Sequence, residues 1–125
     1  MEKKLYDELV SSISTELIKA STHLEDSLVK AIKEMKKTYE KVVKESNEES
    51  IEHKQQEASL LVLNMILKNL DVAAAREIPM CQDTGMLVAF ADIGPDAPYR
   101  LEELEKAITE GAIDAFEKGH YRHSI

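Results

Sequence analysis

Cysteine is nearly missing from this 125-residue chain: Cys81 is the only one. A single thiol excludes an internal disulfide framework and makes a reducing, cytoplasmic compartment the default expectation. Long apolar runs are missing too. None approaches the roughly 20 residues that a spanning helix needs, so no membrane partner is expected. The N-terminal stretch "MEKKLYDELV" carries acidic residues and no long apolar core, unlike a signal peptide. Positive charge is in deficit, with 16 Lys and Arg against 24 Asp and Glu and a net charge of -8. That balance repels a phosphate backbone and argues against a nucleic-acid partner. No internal repeat and no low-complexity tract is found.

What is present suffices for one domain with a modest core, since 43% of residues are hydrophobic. Leu5, Leu9, Ile13 and Leu17 recur every fourth residue, one apolar face of a first helix. Ser21 and Thr22 interrupt it, and Thr22 followed by Glu25 reads as a capping box. A second helix takes Leu24, Leu28, Ile32, Met35, Tyr39 and Val42 as its apolar positions. Ser46 with Glu49 reads as another capping box. The third helix is expected to bury Ile51, Ala58, Leu61, Val62, Met65, Ile66 and Leu70, with "ASLLVLNMILKNL" lying deepest.

After Leu70 the helical rhythm is lost, and Pro79 pushes Ile78 towards an extended conformation. Met86 to Ile93, "MLVAFADI", is β-favouring and reads as a buried strand. "GPDAP" is a loop by its turn chemistry. Leu101, Leu104, Ile108, Ala112 and Phe116 keep step along a fourth helix that Gly119 is placed to end. The expected fold class is therefore α+β and predominantly helical. It has a helical region over residues 1–70, then a loop–strand–helix unit over 71–125, together an incomplete domain.

The chemistry concentrates at "REIPMCQDTGM", Arg76 to Met86. As a bland reading, Cys81 is a small buried hydrophobe and Gln82 to Gly85 is only a turn. Alternatively, a thiol, an amide, a carboxylate and a hydroxyl stand together on a proline-braced loop, where binding and catalytic residues concentrate. Cys81 could serve as a nucleophile, but His23, His53, His120 and His123 are all distant in sequence. It could equally be a thiolate ligand to a metal or cluster. Arg122, near the end of the last helix, could merely favour the helix dipole. His120 and His123 would make a poor metal pair.

The run "AAAREIPMCQDTG", followed by a strand-like stretch and "LEKAITEGAIDAFEKGHYRHSI", resembles the class I, iron–sulfur fumarate hydratases and the related L-tartrate dehydratase alpha subunits. The likeness is weak over the first fifty residues and strong from about Ala73 onward. It implies that Cys81 is the first of three cysteines holding a 4Fe–4S cluster with one iron open to substrate. It implies that Gln82 hydrogen-bonds the substrate, that Asp83 is an acid beside it, and that Arg122 clamps a substrate carboxylate. The implied reaction is the reversible hydration of fumarate to (S)-malate, a tricarboxylic acid cycle step, with tartrate dehydration as the alternative.

The family's alpha unit is much longer, and one thiolate cannot hold a cubane cluster. The expectation is an N-terminal fragment, inactive alone, whose partners are the rest of an alpha subunit and a beta subunit. Two readings of other classes stand beside it. One is a non-catalytic helical interaction module with Cys81 buried, and the other is a thiol enzyme using Cys81 as nucleophile.

Overall fold

The computed structural model describes residues 1–82 and 86–122. Among them are four α-helices: α1 (Lys3–Thr22), α2 (Asp26–Glu45), α3 (Ile51–Arg76) and α4 (Leu101–Lys118). The chain divides into two compact units, His23–Arg76 and a second made of Met1–Thr22 with Glu77–Ile125.

The unit of α2 and α3 is a helical hairpin whose connection spans residues 46–50. Its turn is held by side chains other than those expected. Asn47 Oδ1 accepts the Glu49 amide at 3.1 Å, and Ser50 Oγ accepts the His53 amide at 3.0 Å. Ser50 is thus the residue that caps α3. Ser46 instead donates to the Val43 carbonyl and sits 2.6 Å from Nδ1 of the buried His53. The Thr22–Glu25 box is likewise replaced. Thr22 Oγ1 bonds back to the Ile18 carbonyl at 3.0 Å, and Glu25 caps α2 without a side-chain bond.

α3 runs through "DVAAAR" to Arg76, six residues past the point where its rhythm fades. Alanine is the best helix former, so Ala73–Ala75 extend a helix that they cannot mark with bulk. The expected burial of α3 is overturned. His53, Leu63 and Ala73 are its buried residues, whereas Ile51, Leu61, Val62 and Ile66 are exposed and Met65 keeps 62% of its surface. Within a two-helix hairpin only one stripe of α3 can face α2, where Met35 and Tyr39 meet Ala58, Val62 and Leu63 across an open groove. By length and composition α3 could cross a membrane, contrary to the expectation of no such run. Lys68 and Asp71 interrupt its apolar half, and each charge at mid-bilayer costs about 2.5–3.5 kcal/mol. A protein cover suits that face better than lipid.

The other unit rests on α1 against α4. Contacts advance in the same direction along both: Met1 ammonium to Glu103, Ile13 to Gly111, Ser14 to Asp114, Leu17 to Tyr121. The two helices are therefore parallel. The buried stripe of α4 is Ala107, Gly111 and Ala115, with both alanines at 0% exposure. That stripe lies one residue off the expected Leu104–Ile108–Ala112–Phe116 face. Leu101 and Ile113 are exposed. Small residues occupy the seam because the helices approach closely. A Cβ on Gly111 would stand 2.7 Å from Ile13 Cγ2 and 2.9 Å from the Val10 carbonyl.

At the start of α4, Glu103 accepts the Arg100 amide at 3.1 Å. This is one half of a capping box, since a guanidinium has no acceptor to complete it. Buried Ser14 donates to Asp114 Oδ2 at 2.7 Å, and Lys118 pairs with the same oxygen at 2.8 Å. Lys118 and then Ser14 hold the Asp114 carboxyl below its usual range, against a smaller upward push from desolvation.

The expected strand does not form, and no β-strand exists among the described residues. Met86–Phe90 and the following residues lie exposed, Phe90 at 95% and Met86 at 89%. The fold class is helical, not α+β. A β-favouring sequence becomes a strand only when another strand takes its amides and carbonyls. None among the described residues does so.

Two outcomes follow from the α1–α4 seam. Gly111→Ala should lower stability by about 1–2 kcal/mol, overpacking outweighing the gain in helix propensity, read as a lower urea midpoint. Gly94→Ala, with open space around its Cβ, serves as the control. Asp114 has a depressed folded pKa, so its contribution is present above the ordinary value of 3.8 and is lost as pH falls through the folded value. Asp114→Asn should therefore weaken the fold at neutral pH and flatten the loss of stability on acidification, measured by urea midpoints across that range.

Candidate functional site

The polypeptide leaves α3 through Glu77, whose φ of 53° turns it sharply into Ile78 and Pro79. The Met80 amide then donates to the Ser21 carbonyl at 2.8 Å. That carbonyl lies in the last turn of α1, where helical carbonyls have no partner further along the helix. Cys81 follows directly and is exposed. The exposure removes the basis for a buried, inert thiol.

Arg122 is brought in from the far end of the chain by the termination of α4. Gly119 caps the helix in an αR conformation, and the left-handed residue is His120, at φ 56°. The Tyr121 amide returns to the Phe116 carbonyl at 3.2 Å, and the Phe116 and Tyr121 rings meet edge to face at 5.0 Å. This bond and ring contact are those of a Schellman ending. Glycine is required at 119 because a Cβ there would stand 2.7 Å from both the Ala115 carbonyl and Tyr121 Cε1. The Tyr121 hydroxyl lies 2.7 Å from both the Leu17 carbonyl and Ser21 Oγ, sharing its one proton between two acceptors at the end of α1.

The result is a cavity of about 230 Å³ whose walls include Ser21, Pro79, Cys81, Phe116, Tyr121 and Arg122. Two residues singled out from sequence, Cys81 and Arg122, thus face one space. Gln82 is exposed beside Cys81 but is not part of the lining. Asp83 and His123 lie outside the described residues. Among the described residues no group of three or more His, Cys, Asp or Glu could hold a metal.

Sequence reasoning missed Ser21 and Tyr121. It treated Ser21 as a helix break and left Tyr121 without a role. The signal for Tyr121 was an aromatic five residues beyond Phe116 across a glycine, the spacing of a Schellman hydrophobic contact. Next to the cavity, Leu87 and Ala89 with Ile108, Ala112, Ile113 and Phe116 enclose a larger apolar groove of about 450 Å³.

A small helical unit that sets one thiol and one guanidinium around a polar-edged cleft is suited to binding an anionic small molecule. A family model described as Fumarate hydratase (Fumerase) matches residues 25–125. The chain belongs to that family. It is 36% identical over 59 residues to a protein of Leishmania major named fumarate hydratase 1, mitochondrial, covering 47% of this chain and 11% of that one. It is 30% identical over 84 residues to a protein of Methanocaldococcus jannaschii named as an L(+)-tartrate dehydratase subunit alpha, covering 66% of this chain and 30% of that one. The chain therefore spans well under half the length of these relatives. No solved structure matches it.

Proposed function

We propose that this chain is the N-terminal part of an iron–sulfur hydro-lyase that reversibly hydrates fumarate to (S)-malate. The observation that carries the reading is that Cys81 and Arg122 line one cavity in a chain of this family. Arg122 binds a substrate carboxylate, since its planar fork can donate two parallel hydrogen bonds to the two oxygens. Gln82 donates a hydrogen bond to the substrate from the rim. Asp83 carries a proton for the hydration step. A carboxyl near a dianion holds its proton more readily than one in water, which suits it to act as an acid at neutral pH.

Cys81 supplies one thiolate of a 4Fe–4S cluster. The donors of this chain do not fit such a cluster by themselves, because a cubane needs several thiolates and Cys81 is the only cysteine present. The remaining thiolates come from outside this sequence. Lewis-acid chemistry at an open iron is what such a group supplies when bound.

The partners in this reading are the rest of an alpha subunit and a beta subunit, with a dicarboxylate as substrate. The exposed area supports a missing partner. The accessible surface is 9868 Å², whereas two separate compact bodies of these sizes would together expose about 8,000 Å². The excess coincides with apolar side chains such as Met86, Val88 and Phe90, and with the groove beside α4. Residues 1–125 then form part of one domain of the longer subunit. The reaction belongs to the tricarboxylic acid cycle, and the solitary thiol suits the cytoplasm. Tartrate dehydration is the second reading, favoured by the 84-residue match to the tartrate dehydratase relative.

The test is anaerobic co-production of the chain with the remainder of an alpha subunit and with a beta subunit, followed by iron–sulfur reconstitution. Cluster absorbance and fumarate hydration should appear together, and Cys81→Ala should abolish both. Arg122→Gln should lower kcat/KM for fumarate about 100-fold, the scale of losing a charge-assisted hydrogen-bonded pair. Greater kcat/KM for L-tartrate than for fumarate would move the assignment to the second reading. An assembled complex with a cluster but no activity on either substrate would defeat both.

A further inference from the structure

Cys81 and Arg122 reach the same cavity from distant parts of the sequence, and both approaches end on a single residue of α1. The Ser21 carbonyl takes the Met80 amide at 2.8 Å, fixing the backbone immediately before Cys81. The Ser21 hydroxyl lies 2.7 Å from the Tyr121 phenol, immediately before Arg122. Ser21 Oγ is itself oriented, donating to the Ile18 carbonyl at 2.8 Å. The Tyr121 hydroxyl that Ser21 holds also reaches the Leu17 carbonyl, and the residue is tied back to Phe116 through its amide and its ring. Ser21 also lies outside the segment matched to the family, which begins at residue 25.

We propose that Ser21 is a positioning residue that sets the separation of the Cys81 thiol from the Arg122 guanidinium, one arm being its carbonyl to Met80 and the other its hydroxyl to Tyr121. The proposal rests on the reading of Cys81 and Arg122 as a functional pair, but its geometry is a property of the chain itself. Two hydrogen-bonded arms from one residue hold Met80 and Tyr121, and with them the backbone points from which the thiol and the guanidinium project. Loss of the hydroxyl arm loosens the Arg122 side of the cleft, leaving Tyr121 to its other contacts, while the Met80 arm keeps Cys81 in place. Tyr121→Phe removes the same bond from the other partner, together with the bond to the Leu17 carbonyl, and keeps the ring contact with Phe116. Because the two substitutions share that interaction, their combined effect should be less than the sum of the two.

The solitary cysteine makes this measurable without catalysis. The full chain is alkylated at Cys81 by iodoacetate, an anionic carboxylate, and separately by the neutral iodoacetamide. The ratio of the two rates is divided by the same ratio in urea. A guanidinium held beside the thiol favours the anionic reagent, so the normalised ratio should be about fivefold above unity in the native chain. Arg122→Gln should return it to unity. Ser21→Ala, Tyr121→Phe and the double variant should each bring it most of the way there, with the urea midpoint little changed. Ser21→Thr, which keeps a hydroxyl, should restore it. The Met80 amide should exchange slowly with solvent in all of them.

The proposal is overturned if Ser21→Ala and Tyr121→Phe keep the native ratio while Arg122→Gln loses it. It is equally overturned if Arg122→Gln leaves the ratio unchanged, or if the Met80 amide exchanges freely. None of these results depends on hydro-lyase activity. A reconstituted complex that fails on fumarate and tartrate would sink the functional reading and leave this one standing.

Discussion

The close approach of α1 and α4 is the constraint on which the cleft depends. Ala107, Gly111 and Ala115 lie along one stripe of α4, and at Gly111 the α1 backbone comes near enough that no Cβ could be accommodated without movement. At such distances the two helix backbones leave little room for slack, so the positions of their ends follow from the seam. Ser14 bonded to Asp114 fixes the pairing partway along. About one and two turns further on, Leu17 and Ser21 stand where Tyr121 can reach them. The cavity is thus a product of helix packing begun far from any reactive group.

The same unit is unfinished on its other side. The residues from Met86 to Phe90 are apolar and exposed, and the outer face of α4 carries an apolar groove. Soluble proteins rarely leave large contiguous apolar patches uncovered, and such patches mark surfaces meant for contact. α3 shows the corresponding imbalance in the hairpin unit, with Leu61, Val62 and Met65 turned outward. Each unit leaves part of its apolar surface exposed.

Much of this was legible in the sequence, but unevenly. The helical rhythm of Leu5, Leu9, Ile13 and Leu17 located α1, and Gly119 located the end of α4. Cys81 stood out as the solitary cysteine on a proline-braced loop, whereas Arg122 was singled out through the family resemblance; both line the cavity. Burial was harder to read. A pattern of large apolar residues indicates which face prefers to be covered, yet coverage also requires a neighbour. Met86 to Ile93 looked like a strand for its composition and lacks one because the ladder partner is not among the described residues. The α4 seam was misread by one position because alanine and glycine carry little hydrophobic weight, although small size was the property that mattered. Ser21 was beyond reach altogether, since its importance lies in a carbonyl and a hydroxyl that meet residues about sixty and a hundred positions away.

The parallel pairing of α1 with α4 also has a consequence for synthesis. α1 is translated before its packing partner, with the whole hairpin of α2 and α3 between them. The hairpin closes through neighbours in sequence and can form while translation continues. α1 must wait for a contact across roughly a hundred residues, a loop whose closure entropy slows folding. Throughout that interval the Leu5–Leu17 stripe is out of the ribosome without its mate, an apolar face for a chaperone to cover until α4 arrives.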